Sequence, residues 1–114
     1  MKKIFVLLFA LIVSANVFAE YKPSSYDVYG IVAYEAKYSW FVIYTEAYGH
    51  IIVQHYGYDL DKSDMVYGRF NTYGFVDIYN ETKDEIVSIY IDNWGLSSDR
   101  AFEWLSNRGC LKDY

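Results

Sequence analysis

The stretch WFVIYTEAYGHIIVQHY, Trp40 to Tyr56, holds two apolar runs on either side of Glu46-Ala47-Tyr48-Gly49. Two β-rich runs around a short segment ending in glycine read as an antiparallel hairpin, with Gly49 supplying the positive φ that such a turn needs. A four-residue loop sets Thr45 opposite His50, Tyr44 opposite Ile51, Ile43 opposite Ile52, Val42 opposite Val53 and Phe41 opposite Gln54. Side chains alternate across a strand, so this register predicts an inner face of Val42, Tyr44, Ile51 and Val53. The second face, Phe41, Ile43, Ile52 and Gln54, is also largely apolar. A hairpin that is apolar on both sides is either covered twice or uses one side for binding.

Working outward, Tyr26 to Tyr38 is expected as the preceding strand, with Tyr26, Val28, Gly30, Val32 and Tyr34 inward. Gly30 marks a bulge, a bend or a close backbone approach. After the hairpin, Gly57 to Ser63 is a polar connection. Asp64 to Phe70 follows as a strand with Val66, Gly68 and Phe70 inward, then Phe75 to Tyr79, then Glu85 to Asp92 with Val87, Ile89 and Ile91 sharing a face. The period changes at the end of the chain. Ser97-Ser98-Asp99 offers N-cap oxygens, and a helix over about 98–108 presents Ala101, Phe102 and Leu105 on one side with Trp104 at its margin. Arg108 suits the helix C-terminus and Gly109 the position just beyond it. A helix of two to three turns does not persist alone and must pack on the sheet. The expected fold is all-β, a small five- or six-stranded barrel or strongly curled antiparallel sheet with one short C-terminal helix.

Met1-Lys2-Lys3, the uncharged run Ile4 to Val13 and Val17-Phe18-Ala19 have the form of a secretory signal peptide, and the apolar run is shorter than the about 20 residues of a membrane span. Residues 1–19 are therefore expected to be removed after Ala19, leaving residues 20–114 as one periplasmic or secreted domain without a membrane span. Of the 114 residues, 95 would remain; loss of Lys2 and Lys3 takes ten Lys and Arg to eight, against fifteen Asp and Glu, a net charge of −7. That balance disfavours nucleic-acid backbones and anionic membranes, which need clustered Lys and Arg.

Cys110 is the single cysteine, so no internal disulfide forms, and a small packed side chain is the expectation. Stability must then come from apolar packing, to which 14 Tyr and 3 Trp contribute large buried areas with polar ends. His50 and His55 fall on opposite faces by parity and cannot share a metal from one strand; with no second cysteine, no metal or cofactor site is expected. Both histidines are expected in solvent. Asp59, Asp61 and Asp64 alternate in the connection, but Asp64 and Phe70 stand where a calcium loop would need Gly and an acid, so a solvated acidic turn is expected. No serine sits in a nucleophile elbow.

Three patterns resemble bacterial periplasmic OB-fold proteins. Val28-Tyr29-Gly30-Ile31-Val32 resembles the V-x-G-x-V first strand, Val42 to Val53 the central hairpin, and Asp64-Met65-Val66-Tyr67-Gly68 the D-x-V-x-G fourth strand. The resemblance covers about residues 26–70 and implies a curled Greek-key barrel whose binding surface lies on its second and third strands, without a defined enzymatic activity. Six expected strands against the five of an OB-fold, and the added helix, depart from that pattern.

The parities leave an outer aromatic and apolar face of Tyr29, Phe41, Ile43, Ile52, Tyr67 and Tyr73 as the candidate binding face, unless the terminal helix covers it. The functional expectation is an exported non-enzymatic binding module that uses this face on a protein or cell-envelope component. The alternatives are a secreted inhibitor or accessory subunit acting through the 57–64 loop, and a small hydrolase built on a carboxylate pair.

Overall fold

The computed structural model describes Tyr21 and residues 23–112. The leader expected at residues 1–19 lies outside the described residues. Six strands and one helix occur among the described residues: β1 Val28–Glu35, β2 Trp40–Thr45, β3 Gly49–Gln54, β4 Met65–Gly68, β5 Gly74–Asn80, β6 Glu85–Leu96 and α1 Ser98–Asn107. The strands close into an antiparallel barrel in the order β1-β2-β3-β6-β5-β4, with β4 returning to β1.

Two strands turn the corners. The first half of β1 pairs with β4 and the second with β2, and an irregularity between Val32 and Tyr34 bends it. The first half of β6 pairs with β5 and the second with β3, through two register shifts against β3. Bulges raise local twist and bend a strand, which is what a strand needs when it serves two neighbours around a small barrel. Gly30 is not the bulge; its role is close approach, since a Cβ there would lie 3.0 Å from the side chains of Ile43 and Thr45.

The central hairpin forms with a register one residue tighter than the loop count predicts. Thr45 pairs with Gly49, Tyr44 with His50, Ile43 with Ile51, Val42 with Ile52, Phe41 with Val53 and Trp40 with Gln54. Gly49, at φ 67, is itself the last paired residue, so the loop has three residues, the class closed by a left-handed glycine. The Thr45 hydroxyl fixes this turn by accepting from the Tyr48 amide at 2.9 Å. The slip exchanges the β3 faces relative to β2. Phe41, Ile43, Ile51 and Val53 consequently fill the barrel with Val32, Leu60, Val66, Phe70, Ile78, Val87, Ile89 and Ile91. Ile51 and Val53 are inward as expected, whereas Val42 and Tyr44 point out.

Outside the barrel wall, Val42 and Ile52 are covered by α1 through Ala101 and Leu105, together with Tyr34, Ala36 and Cys110. The bulge in β1 hands Tyr34 from the interior to this second core, where its ring meets Phe102 edge-on at 5.1 Å and its hydroxyl accepts from the Lys112 amide. Tyr26, expected inward, is exposed in the turn before β1. Ser97 caps α1 by accepting from the Arg100 amide, Gly109 takes φ 67 beyond the last turn, and Cys110 is buried. Trp40 and Trp104 extend the same contact edge-on, with Arg108 stacked over Trp104 at 3.7 Å.

The acidic connection corrects a second expectation, because Asp64 is buried rather than solvated. Its carboxylate accepts from Asn80 Nδ2 at 2.8 Å, from the Asp61 amide at 2.9 Å and from the Lys83 ammonium, which also meets Asp61 at 2.7 Å. Burial alone would raise the carboxyl pKa, but the bonds from Lys83, Asn80 and the Asp61 amide outweigh it and hold Asp64 below the usual carboxylate range. A carboxylate depressed in the native state contributes stability that is complete above the unfolded pKa, about 3.9, and is lost as pH falls through the native value. Asp64→Asn is expected to lower stability by about 1–3 kcal/mol at pH 7, in urea unfolding. The gap to wild type should close as pH falls below about 4, while a gap independent of pH would show that the charge of Asp64 is not involved.

Candidate functional site

The six residues expected to form one binding face are dispersed by the fold. Phe41 and Ile43 lie inside the barrel and Ile52 beneath α1, all three buried, so none of them contributes to an open surface. The cause is the register and the helix: inward parity takes Phe41 and Ile43, and Ala101 and Leu105 cover Ile52. Tyr29 and Tyr67 are brought together, facing each other across β1 and β4 with ring centroids 4.7 Å apart. Tyr73 stands apart in the turn before β5, against Trp94 at 6.3 Å. Trp94 packs on the end of the barrel core, and its buried indole Nε1 has no hydrogen-bond partner among the described residues.

A concavity lies where β3 leaves the barrel wall. On the outer face of the sheet, Phe75 of β5 pairs with Tyr90 of β6, and Tyr90 pairs with Gln54 of β3. The two aromatic rings meet edge-on at 5.1 Å. Phe75 is 81% exposed and Tyr56, just past β3, 74% exposed. Together with His55 and Ser88 these side chains line a groove of about 370 Å³, within the range of small-ligand sites. A shallower hollow of about 660 Å³ continues it over Gly57, Tyr58, Asp59, Lys83 and Glu85. Tyr58 is 98% exposed.

His55 builds the floor. Its backbone amide donates to the Ser39 carbonyl at 2.9 Å, in the turn between β1 and β2. Its ring is buried, with Nδ1 2.7 Å from the Ser88 carbonyl of β6 and Nε2 2.6 Å from Asp59 Oδ1. Both partners are acceptors, so both contacts are hydrogen bonds when each ring nitrogen carries a proton. One side chain thereby fixes the exit of β3, the middle of β6 and the start of the 57–64 connection. This corrects the expectation of a solvent-exposed His55, and one sequence signal fits the observed contact: Asp59 follows four residues later beyond Gly57. His50 is half-buried, with Nδ1 3.2 Å from the Leu96 carbonyl, on the other side of the strand.

Leu60 anchors the far side of the connection in the barrel core, and the Asn80 amide donates to the Asp59 carbonyl at 2.9 Å. The connection is thus held at Asp59, Leu60 and Asp64, while Tyr58 projects between the first of these anchors and β3. The hollow is lined by aromatic faces, a serine hydroxyl and carboxylates on a fixed backbone, an arrangement suited to holding a ligand by stacking and hydrogen bonding.

Compared with protein-family models, with curated proteins and with solved structures, the chain gives no match. From the geometry alone, His55→Ala is expected to cost about 1–3 kcal/mol of stability, because it leaves the Ser88 carbonyl and Asp59 without their partner. Hydrogen exchange should accelerate selectively at residues 56–61. Uniform acceleration across the barrel, or none, would contradict the proposed tethering role of His55.

Proposed function

We propose that this chain is a non-enzymatic binding module that holds its partner in the groove of Tyr56, Phe75 and Tyr90, with the 57–64 connection as an adjoining wall. The single observation that carries the reading is the open cross-strand row Phe75–Tyr90–Gln54. A phenylalanine four-fifths exposed on a strand contributes little to the fold, yet offers a large apolar face beside polar groups that can fix orientation. The partner class is a protein or cell-envelope component, encountered after export as the N-terminal sequence implies. The resemblance to periplasmic OB-fold proteins is compatible with a barrel used for binding, although the groove lies on β3, β6 and β5 rather than on the hairpin face.

A second reading is favoured by one feature: Tyr58 is almost wholly exposed on a connection whose neighbours are pinned. An inhibitor or accessory subunit would present such a side chain to another protein's cleft. Both readings are tested by capture of envelope components on immobilised protein, compared among variants. Phe75→Ala combined with Tyr90→Ala is expected to lower capture of a saturable partner at least about tenfold, as for a pair of central aromatic anchors, with unfolding temperature within a few degrees of wild type. Loss with Tyr58→Ala alone, and retention with the double variant, would transfer the function to the connection.

A further inference from the structure

The walls of the groove are aromatic, and its charged rim is acidic. Asp59 and Glu85 line the hollow that continues it, and Asp77 stands opposite Ser88 across the β5–β6 ladder. Against them Lys83 is, among the described residues, the only lysine or arginine in the lining of groove and hollow, and its ammonium is directed at Asp61 and Asp64. His55 is engaged with Asp59. Asp59, Glu85 and Asp77 therefore face no lysine or arginine of the lining that is not already paired with other carboxylates, and the whole chain carries −5. Faces of Tyr and Phe attract cations through their ring quadrupoles, and nearby carboxylates add to that attraction.

We infer that the groove takes a lysine or arginine side chain of a partner protein, its aliphatic stem against Phe75 and Tyr90 and its charged head toward the acidic rim. The inference rests on the groove being the binding site. It follows from charge complementarity: an anionic or phosphorylated segment meets repulsion here, and an aliphatic one leaves the rim carboxylates desolvated without a partner. Glu85 and Asp77, both exposed, set the sign of the field without taking part in the Asp64 cluster or the His55 contact.

The test titrates the full folded chain with three capped peptides, acetyl-Gly-Lys-Gly-amide, acetyl-Gly-norleucine-Gly-amide and acetyl-Gly-Glu-Gly-amide, followed by amide chemical shifts. The expected result is that the lysine peptide shifts Tyr56, Ser88 and Tyr90. It should bind at least about fivefold more tightly than the norleucine peptide and weaken as salt rises from about 20 to 200 mM. Glu85→Gln and Asp77→Asn should each weaken it about two- to fivefold while leaving the unfolding temperature within a few degrees of wild type. Equal binding of the norleucine peptide at the same residues overturns the charge inference while leaving the groove as a binding site. Preference for the glutamate peptide overturns it as well. Shifts from none of the three also overturn it, and the groove reading is then judged separately by the capture comparison of the Phe75 and Tyr90 variants.

Discussion

A left-handed glycine paired directly with a threonine sets the order of this small barrel. Because Gly49 closes the turn from inside the ladder, Ile51 and Val53 join Phe41 and Ile43 in the interior, while Ile52 joins Val42 outside. One more residue in the loop would have put Ile52 inside and turned Ile51 and Val53 outward. The choice also creates the seat for the helix. Val42 and Ile52 side by side form an apolar strip on the outer wall, and a ten-residue helix with Ala101 and Leu105 buried supplies its cover. The barrel interior and the helix interface are two cores separated by the thickness of one sheet, and one hairpin feeds both.

Polar side chains do a different job at the barrel's periphery. Asp64 gathers Asn80, Lys83 and the Asp61 amide, and His55 gathers Asp59, Ser88 and the turn at Ser39. Each joins strands to the same irregular connection, which could not hold its course through backbone pairing alone. Satisfied buried polar clusters of this kind specify one arrangement where apolar contacts alone would tolerate several. The groove is the outcome: its floor is a buried imidazole, its aromatic walls stand on paired strands, and its acidic rim continues into the Asp64 cluster.

Much of this architecture was legible in the residues. Alternation in Met65 to Phe70 predicted the inward set correctly, alternation in Glu85 to Ile91 grouped Val87, Ile89 and Ile91 on what proves to be the inner face, and Ser97 and Gly109 bracketed the helix. The failures have definite causes. Hairpin register depends on whether glycine lies inside or outside the last pair, and both readings satisfy the same apolar runs. The last strand continues through Asp92-Asn93-Trp94-Gly95, a sequence with turn chemistry, because bulges let it bend toward β3 without leaving the ladder. The candidate face was lost to the same slip and to the helix, while the groove drew on Tyr56, Phe75 and Tyr90, which only strand order brings together. His55 and Asp64 were misjudged because burial of a polar side chain depends on partners distant in sequence, Ser88 and Lys83 among them.

Closure of the ring has a consequence for how this protein can meet others. With β4 bonded back to β1, the strands form a ring, in which β5 meets β4 at Tyr79 and Asn80 and, among the described residues, pairs over 74–78 on its β6 side alone. Closure leaves only short lengths of ladder that an extended peptide could join as an extra strand, the route by which open sheets recruit segments with little regard for sequence. Where a strand is paired on both sides, whatever docks on the wall is recognised through side chains. The same closure shortens the template for uncontrolled self-association, which matters for a β-protein whose described cysteine is a single buried thiol and which therefore has no crosslink within its described fold to hold the strands if they part.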